Sequence, residues 1–227
     1  MRSLLLLAGL AIALTSHAQD CTGYYFLQNN KNVEMTVYNK KGNVTGKNVY
    51  SVSDVSSSGN TTTGKIASEM FNEKGKSLAK SNASVKCEGG VMMMDMKMSM
   101  PPQQGQKSPM DNTDVKMESF YIEYPPSMKE GDALKDATMN MDINNASGMK
   151  QSVEMSVTNR KVEGKESVTT TAGTWNCFKI AFHTHMKIKM MGIGVPMNFD
   201  GEEWFAPGFG IVKTESKYGK TEITSVK

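Results

Sequence analysis

Trp175-Asn176-Cys177-Phe178-Lys179-Ile180-Ala181-Phe182-His183-Thr184-His185-Met186-Lys187-Ile188-Lys189-Met190 is the stretch on which the fold turns. Phe178, Ile180, Phe182, Met186, Ile188 and Met190 share one parity, broken only by Asn176 and Thr184. Lys179, His183, His185, Lys187 and Lys189 occupy the other. Side chains alternate across a strand with a period of two, so this is a strand with one apolar and one cationic face. At about 3.3 Å per residue it spans roughly 50 Å, well beyond an ordinary strand. A strand that long must curve or bulge.

The same alternation continues on both sides. Val33, Met35 and Val37 alternate with polar residues up to the turn Tyr38-Asn39-Lys40-Lys41-Gly42, and a segment through Met70 ends in the related turn Phe71-Asn72-Glu73-Lys74-Gly75. Gly at the last position suits the left-handed residue of a longer hairpin loop. Ser81–Cys87, Val91–Met100 and Val115–Tyr124 read as strands, with a loop over Pro101–Asp114 and a stop at Pro125-Pro126. Ser127–Lys135 allows one short helical turn, and strands follow over Met139–Ile143 and Met149–Val157, joined by a turn over Asn144–Gly148. Glu202–Phe205 and Ile211–Ser216 form a hairpin around Pro207-Gly208-Phe209-Gly210, and Thr221–Val226 closes the chain. These segments predict an all-β fold with minor helix: one large, curved antiparallel sheet or partial barrel of about ten strands. A regular two-sheet sandwich is the alternative.

Hydrophobic residues make up 38% of the 227 and charged residues 22%, with a net charge of +3, which excludes a disordered polyelectrolyte. That balance gives no reason to expect nucleic acid, which calls for a strongly basic patch. Met1-Arg2-Ser3, an apolar run over Leu4–Thr15 and the small-residue site Ser16-His17-Ala18 have the order of a secretory signal peptide. The run is too short to span a bilayer. Ala18-Gln19-Asp20-Cys21 lacks the small residues that a lipoprotein site needs before its cysteine. The expectation is a signal peptide over 1–18, a single β-rich domain over 19–227, no transmembrane segment after cleavage, and an exported protein, periplasmic or secreted. Export permits a disulfide, and Cys21, Cys87 and Cys177 leave three pairings open. The reading leans to Cys21 with Cys87, because Cys177 lies inside the long strand.

Chemistry is sparse. His183 and His185 lie on the lysine-rich face, where a solvated cationic surface explains them, and Met186 points the other way. No phosphate loop, zinc spacing or nucleophile elbow occurs, and Glu202 and Glu203 point to opposite faces of a strand. The protein is therefore read as no enzyme, with no cofactor.

Methionine is the anomaly, at 20 residues. In the strand reading of 91–100, Met92, Met94, Met96, Met98 and Met100 line one face, expected to be the face of Phe182, Met186 and Met190. Thioethers are flexible and polarisable, so such a face fills a core or lines an adaptable apolar pocket. Cu(I) binding by soft sulfur is a further reading.

Lys86-Cys87-Glu88-Gly89-Gly90, Trp175-Asn176-Cys177-Phe178-Lys179-Ile180 and Glu203-Trp204-Phe205-Ala206-Pro207-Gly208-Phe209-Gly210-Ile211-Val212-Lys213 follow Asp20-Cys21 and the Tyr38–Gly42 turn in order. In these the chain resembles the TapB-like group of exported bacterial proteins, related to a larger domain family of unknown function. The resemblance implies an exported, mainly β protein, without catalytic residues or a known ligand. The expected function is a non-catalytic envelope protein holding an apolar small molecule or an envelope-protein partner on its concave, Met-rich sheet face. A soft-metal, Cu(I)-binding protein is the alternative.

Overall fold

The alternating segments become strands because each can bury one face while pairing its backbone on both sides. In the computed structural model, which describes residues 21–99, 120–144, 150–190 and 193–227, they are β1 (Asn32–Asn39), β2 (Val44–Ser58), β3 (Thr61–Asn72), β4 (Ser77–Glu88), β5 (Val91–Asp95), β6 (Tyr121–Tyr124), β7 (Ala137–Asn144), β8 (Lys150–Thr170), β9 (Gly173–Met190), β10 (Ile193–Ala206), β11 (Gly210–Ser216) and β12 (Gly219–Val226). They form one 12-stranded antiparallel sheet in the order β6-β5-β4-β3-β2-β1-β12-β11-β10-β9-β8-β7. Two meanders of consecutive strands are joined where β1 pairs with β12, for example Val37 opposite Thr221. The edge strands β6 and β7 approach each other, so the sheet nearly closes into a barrel.

The sheet has twelve strands rather than about ten. β2 escaped the reading because its end, Ser51-Val52-Ser53-Asp54-Val55-Ser56-Ser57-Ser58, is mostly hydroxyls. It is held by pairing to β3 and by cross-strand bonds, Ser56 to Thr63 at 3.3 Å and Ser57 to Thr62 at 2.9 Å. The two related hairpin turns share one construction. Asn39 Oδ1 accepts from the backbone of Lys41 (2.9 Å) and Asn43 (3.1 Å), and Asn72 Oδ1 from Lys74 (3.0 Å) and Lys76 (2.9 Å). Gly42 and Gly75 follow at φ 78° and 74°, the left-handed region glycine enters without strain.

The bulge expected in the long strand lies in its neighbour. β9 pairs with β10 in unbroken register from Phe178 to Met190. β8 shifts register against β9 between Thr158 and Lys161, where Asn159 has φ 54°. This bulge reverses the inward parity, from Val153, Met155 and Val157 to Arg160 and Val162, all buried.

Two expectations are corrected. The strand over Val91–Met100 ends at Asp95, and a 3-10 turn runs over Met96–Ser99. Asp95 accounts for the break: its Oδ1 accepts from the Lys97 backbone (3.0 Å), and its Oδ2 pairs with Lys97 Nζ (3.0 Å). No helical turn forms over Ser127–Lys135. That segment runs alongside β8 instead, with Gly131 N donating to Val162 O (2.9 Å), Leu134 N to Arg160 O (2.8 Å) and Ala133 bridging Lys161. Among the described residues the minor helix is the 3-10 turn at Met96 and two more at Cys21–Gly23 and Tyr25–Leu27. The signal peptide expected over 1–18, the loop over 101–114, the start of the strand over 115–119, the turn at 145–148, Met149 and Met100 lie outside the described residues, as does the side chain of Met190.

Candidate binding cavity

One end of the barrel is closed by the N-terminal segment. Cys21 is disulfide-bonded to Cys87 of β4 with Cα atoms 5.6 Å apart, leaving Cys177 as a buried free thiol. From that tether Tyr24, Phe26 and Leu27 turn inward and are buried. Phe26 meets Phe209 edge-on at 5.9 Å and Tyr50 at 6.3 Å, and Trp175 and Tyr25 pack on Phe209 at 5.5 and 5.1 Å. The plug needs a glycine opposite it. A Cβ on Gly210, at φ 132°, would sit 3.1 Å from the Phe26 ring.

Above Phe26 the barrel encloses a cavity of about 470 Å³, within the range of small-molecule sites. Met94, Met98, Phe182 and Met186, four of the residues singled out in the sequence, line it. Met92 and Met96 are fully buried but are not among its lining residues; Met92 lies within β5, and Met96 opens the 3-10 turn that ends the alternation. Met35, Met70, Met155 and Met197 also line the cavity, together with Tyr50, Tyr124 and Phe199. The signal for Met35 and Met155 was present in the parity of their own strands. Met70 and Met197 could be placed only by the curvature of the sheet.

The first part of β10, before Gly201, has no partner in β11, because their pairing begins at Gly201 opposite Ser216. The sheet is notched there. Met197 and Phe199 on one side, and Ser216 and Tyr218 on the other, line the cavity and flank the notch. Phe199 and Tyr218 meet edge-on across it at 5.3 Å.

Charge enters the wall at two buried pairs. Glu203 Oε1 accepts from Arg160 Nη2 (3.2 Å) and Oε2 from the Tyr124 hydroxyl (3.0 Å), while Arg160 Nη1 donates to the carbonyls of Glu123 and Lys135, both at 3.0 Å. Arg160 thus ties β6 and the segment leading into β7, the two edges of the seam, to the barrel interior. An exposed pair, Lys135 with Glu123 at 2.6 Å, spans the same seam. Tyr124 stacks on Phe205 at 4.3 Å, and burial, reinforced by the charge of Glu203, holds its hydroxyl well above the usual phenol range. Burial works against the Arg160 charge, but Tyr124 and Glu203 outweigh it and its pKa is raised. Asp95 with Lys97 is the second pair.

On the outer face the described residues form more exposed pairs. His183 Nδ1 lies 2.8 Å from Asp200 Oδ1 and His185 Nδ1 lies 2.6 Å from Asn198 Oδ1, each across from its β10 partner and away from Met186. Lys179 bridges Glu163 and Glu202 at 3.1 and 2.8 Å. Among the described residues no three His, Cys, Asp or Glu side chains are grouped to hold a metal ion. No helix among them is long and apolar enough to cross a membrane. Burial, then the charge of Glu166, pushes the Cys177 thiol up to about 12.

The fold has solved counterparts. A "putative lipoprotein" from Parabacteroides distasonis superimposes with a TM-score of 0.71 at 22% identity, covering 89% of this chain and 98% of its own. A "putative exported protein with YmcC-like fold" from Bacteroides fragilis gives 0.68 at 23%, covering 88% and 96%. No curated protein matches the sequence. The family pattern matches across residues 28–227, from just after the plug through β12, and the chain belongs to the DUF3108-like family.

Proposed function

We propose that this is an exported, non-catalytic binding protein that holds an apolar small molecule inside its barrel. The observation that carries the reading is the cavity of about 470 Å³, plugged at the Phe26 end and lined mainly by thioethers, aromatics and aliphatic side chains. Methionine suits such a wall because it adapts to ligands of varied shape. Export is supported by the signal-like order of residues 1–18 and by the names of the two structural counterparts, and the TapB-like resemblance agrees with it. Native mass spectrometry of protein purified from its own host tests the proposal. The expected result is a retained apolar small molecule, lost on unfolding. Protein that carries none, and that fails to bind an environment-sensitive apolar dye, would overturn it.

A second reading rests on the methionines that share the lumen, including Met94, Met155 and Met186. Soft thioethers select Cu(I). The same spectrum decides: a copper mass, abolished by Met186→Leu and Met155→Leu, would replace the carrier reading.

A further inference from the structure

We propose, on the basis of the binding reading above, that the cavity selects apolar molecules whose head is neutral or cationic and donates hydrogen bonds, and that it rejects long-chain carboxylates. The first observation is the composition of the wall. Among the described residues no Lys, Arg or His lines the cavity. The second is the orientation of the two buried ion pairs. Asp95 lines the cavity and its partner Lys97 does not; Glu203 lines it and its partner Arg160 does not. In both pairs the acidic residue belongs to the cavity wall and its basic partner does not. Arg160 spends its Nη1 protons on the seam carbonyls, away from any ligand.

Glu215 adds a third carboxylate to the wall, and the other polar lining groups, Thr184, Ser216 and Tyr218 among them, are neutral. Asn48 lines the cavity, and its Oδ1 is buried without a hydrogen-bond partner in the protein, while its Nδ2 donates to the Tyr50 hydroxyl at 3.4 Å. The Tyr124 hydroxyl donates to Glu203, and Thr214 and Thr221 bond each other at 2.7 Å. Glu203 in particular keeps unspent acceptor lone pairs, since an ionised carboxylate takes up to four hydrogen bonds and it receives two. A donor-bearing head gains charge-assisted bonds there. An anionic head meets like charges in a weakly screened interior and finds no cationic donor among the described lining residues, only neutral ones.

The test compares one tail with three heads. Dodecan-1-ol below its solubility limit, and protonated dodecylamine and dodecanoate below their micelle concentrations, compete at pH 7.4 with an apolar dye bound to the wild-type protein. The alcohol and the amine are expected to bind about tenfold or more tightly than the carboxylate, the ratio one charge-assisted bond supplies. The net charge of +3 would favour the anion by non-specific attraction, so the preference cannot come from bulk charge. Dodecanoate binding as tightly as the other two would overturn the head-group proposal and leave the cavity reading standing. Dye binding absent from the start, with none of the three bound, would overturn both. Asn48→Lys, at a half-buried position, places a cation in the wall and is expected to invert the order. A folded, dye-binding variant that still prefers the amine by the wild-type ratio would put the head outside the lumen and also overturn the proposal.

Discussion

Replacing Arg160 by methionine removes a buried side chain that bonds to both edges of the seam. Its side chain is fully buried, and three of its hydrogen bonds end on Glu203 Oε1 and the carbonyls of Glu123 and Lys135. Methionine has similar length and fills the space, so the loss is polar rather than volumetric. Glu203 is left as a buried carboxylate with only the Tyr124 hydroxyl as donor. Breaking a buried pair from one side costs about 3–5 kcal/mol, and each carbonyl left dry adds about 1–3 kcal/mol where water cannot reach it. Water admitted at the loosened seam offsets most of the second cost, so about 5 kcal/mol is expected. That is a large share of the roughly 5–15 kcal/mol by which a domain is stable. Urea unfolding followed by tryptophan fluorescence measures it, because Trp204 is buried and bonded to Glu166. The double variant Arg160→Met, Glu203→Leu removes both charges and is expected to recover about half of the loss, since no unpaired charge remains. A single variant that costs less than about 1 kcal/mol, or a double variant whose loss equals the sum of the two single ones, would refute this account of the seam.

Gly210→Ala is expected to cost about 1–3 kcal/mol in the same unfolding assay, because its Cβ would press on the Phe26 ring at a φ that L side chains rarely adopt. Met94→Leu and Met96→Leu should each cost under about 1.5 kcal/mol, the range of volume-conserving swaps, and only Met94→Leu should alter dye binding, because Met94 lines the cavity and Met96 does not. Cys177 should resist iodoacetamide in the native protein at pH 8 and react on unfolding, as mass spectrometry would record. Its native pKa, at about 12, lies above the unfolded value of 9.0, so its contribution to stability is complete below pH 9 and is lost as pH rises towards 12. A thiol labelled at pH 8 without unfolding would contradict that burial.

The strand content was legible because alternation is a local property. Phe178 to Ile188 needs only its own period of two to declare a buried face, and the two Asn-x-Lys-Gly turns need only a side-chain acceptor followed by a left-handed glycine. Local pattern failed where local chemistry competes with it: Asp95 bonds its own neighbour and ends β5, so Met96 and Met98 leave the strand that Met92 and Met94 begin. It also failed where a segment is held mainly by hydroxyl and backbone pairing, as in β2.

By itself, then, the sequence determined a mainly antiparallel sheet with one Met-rich face and a charged face turned to solvent, since side-chain period and polarity are written residue by residue. Only the tertiary structure decided the near closure of the sheet, the plug over its end, and the inward turn of Arg160 at the β8 bulge. Those depend on contacts between segments far apart in the chain: Arg160 with Glu203, Cys21 with Cys87, Phe26 with Phe209. A local pattern says which face is buried; it does not say against what, and the cavity exists only once the sheet has curved round far enough to face itself.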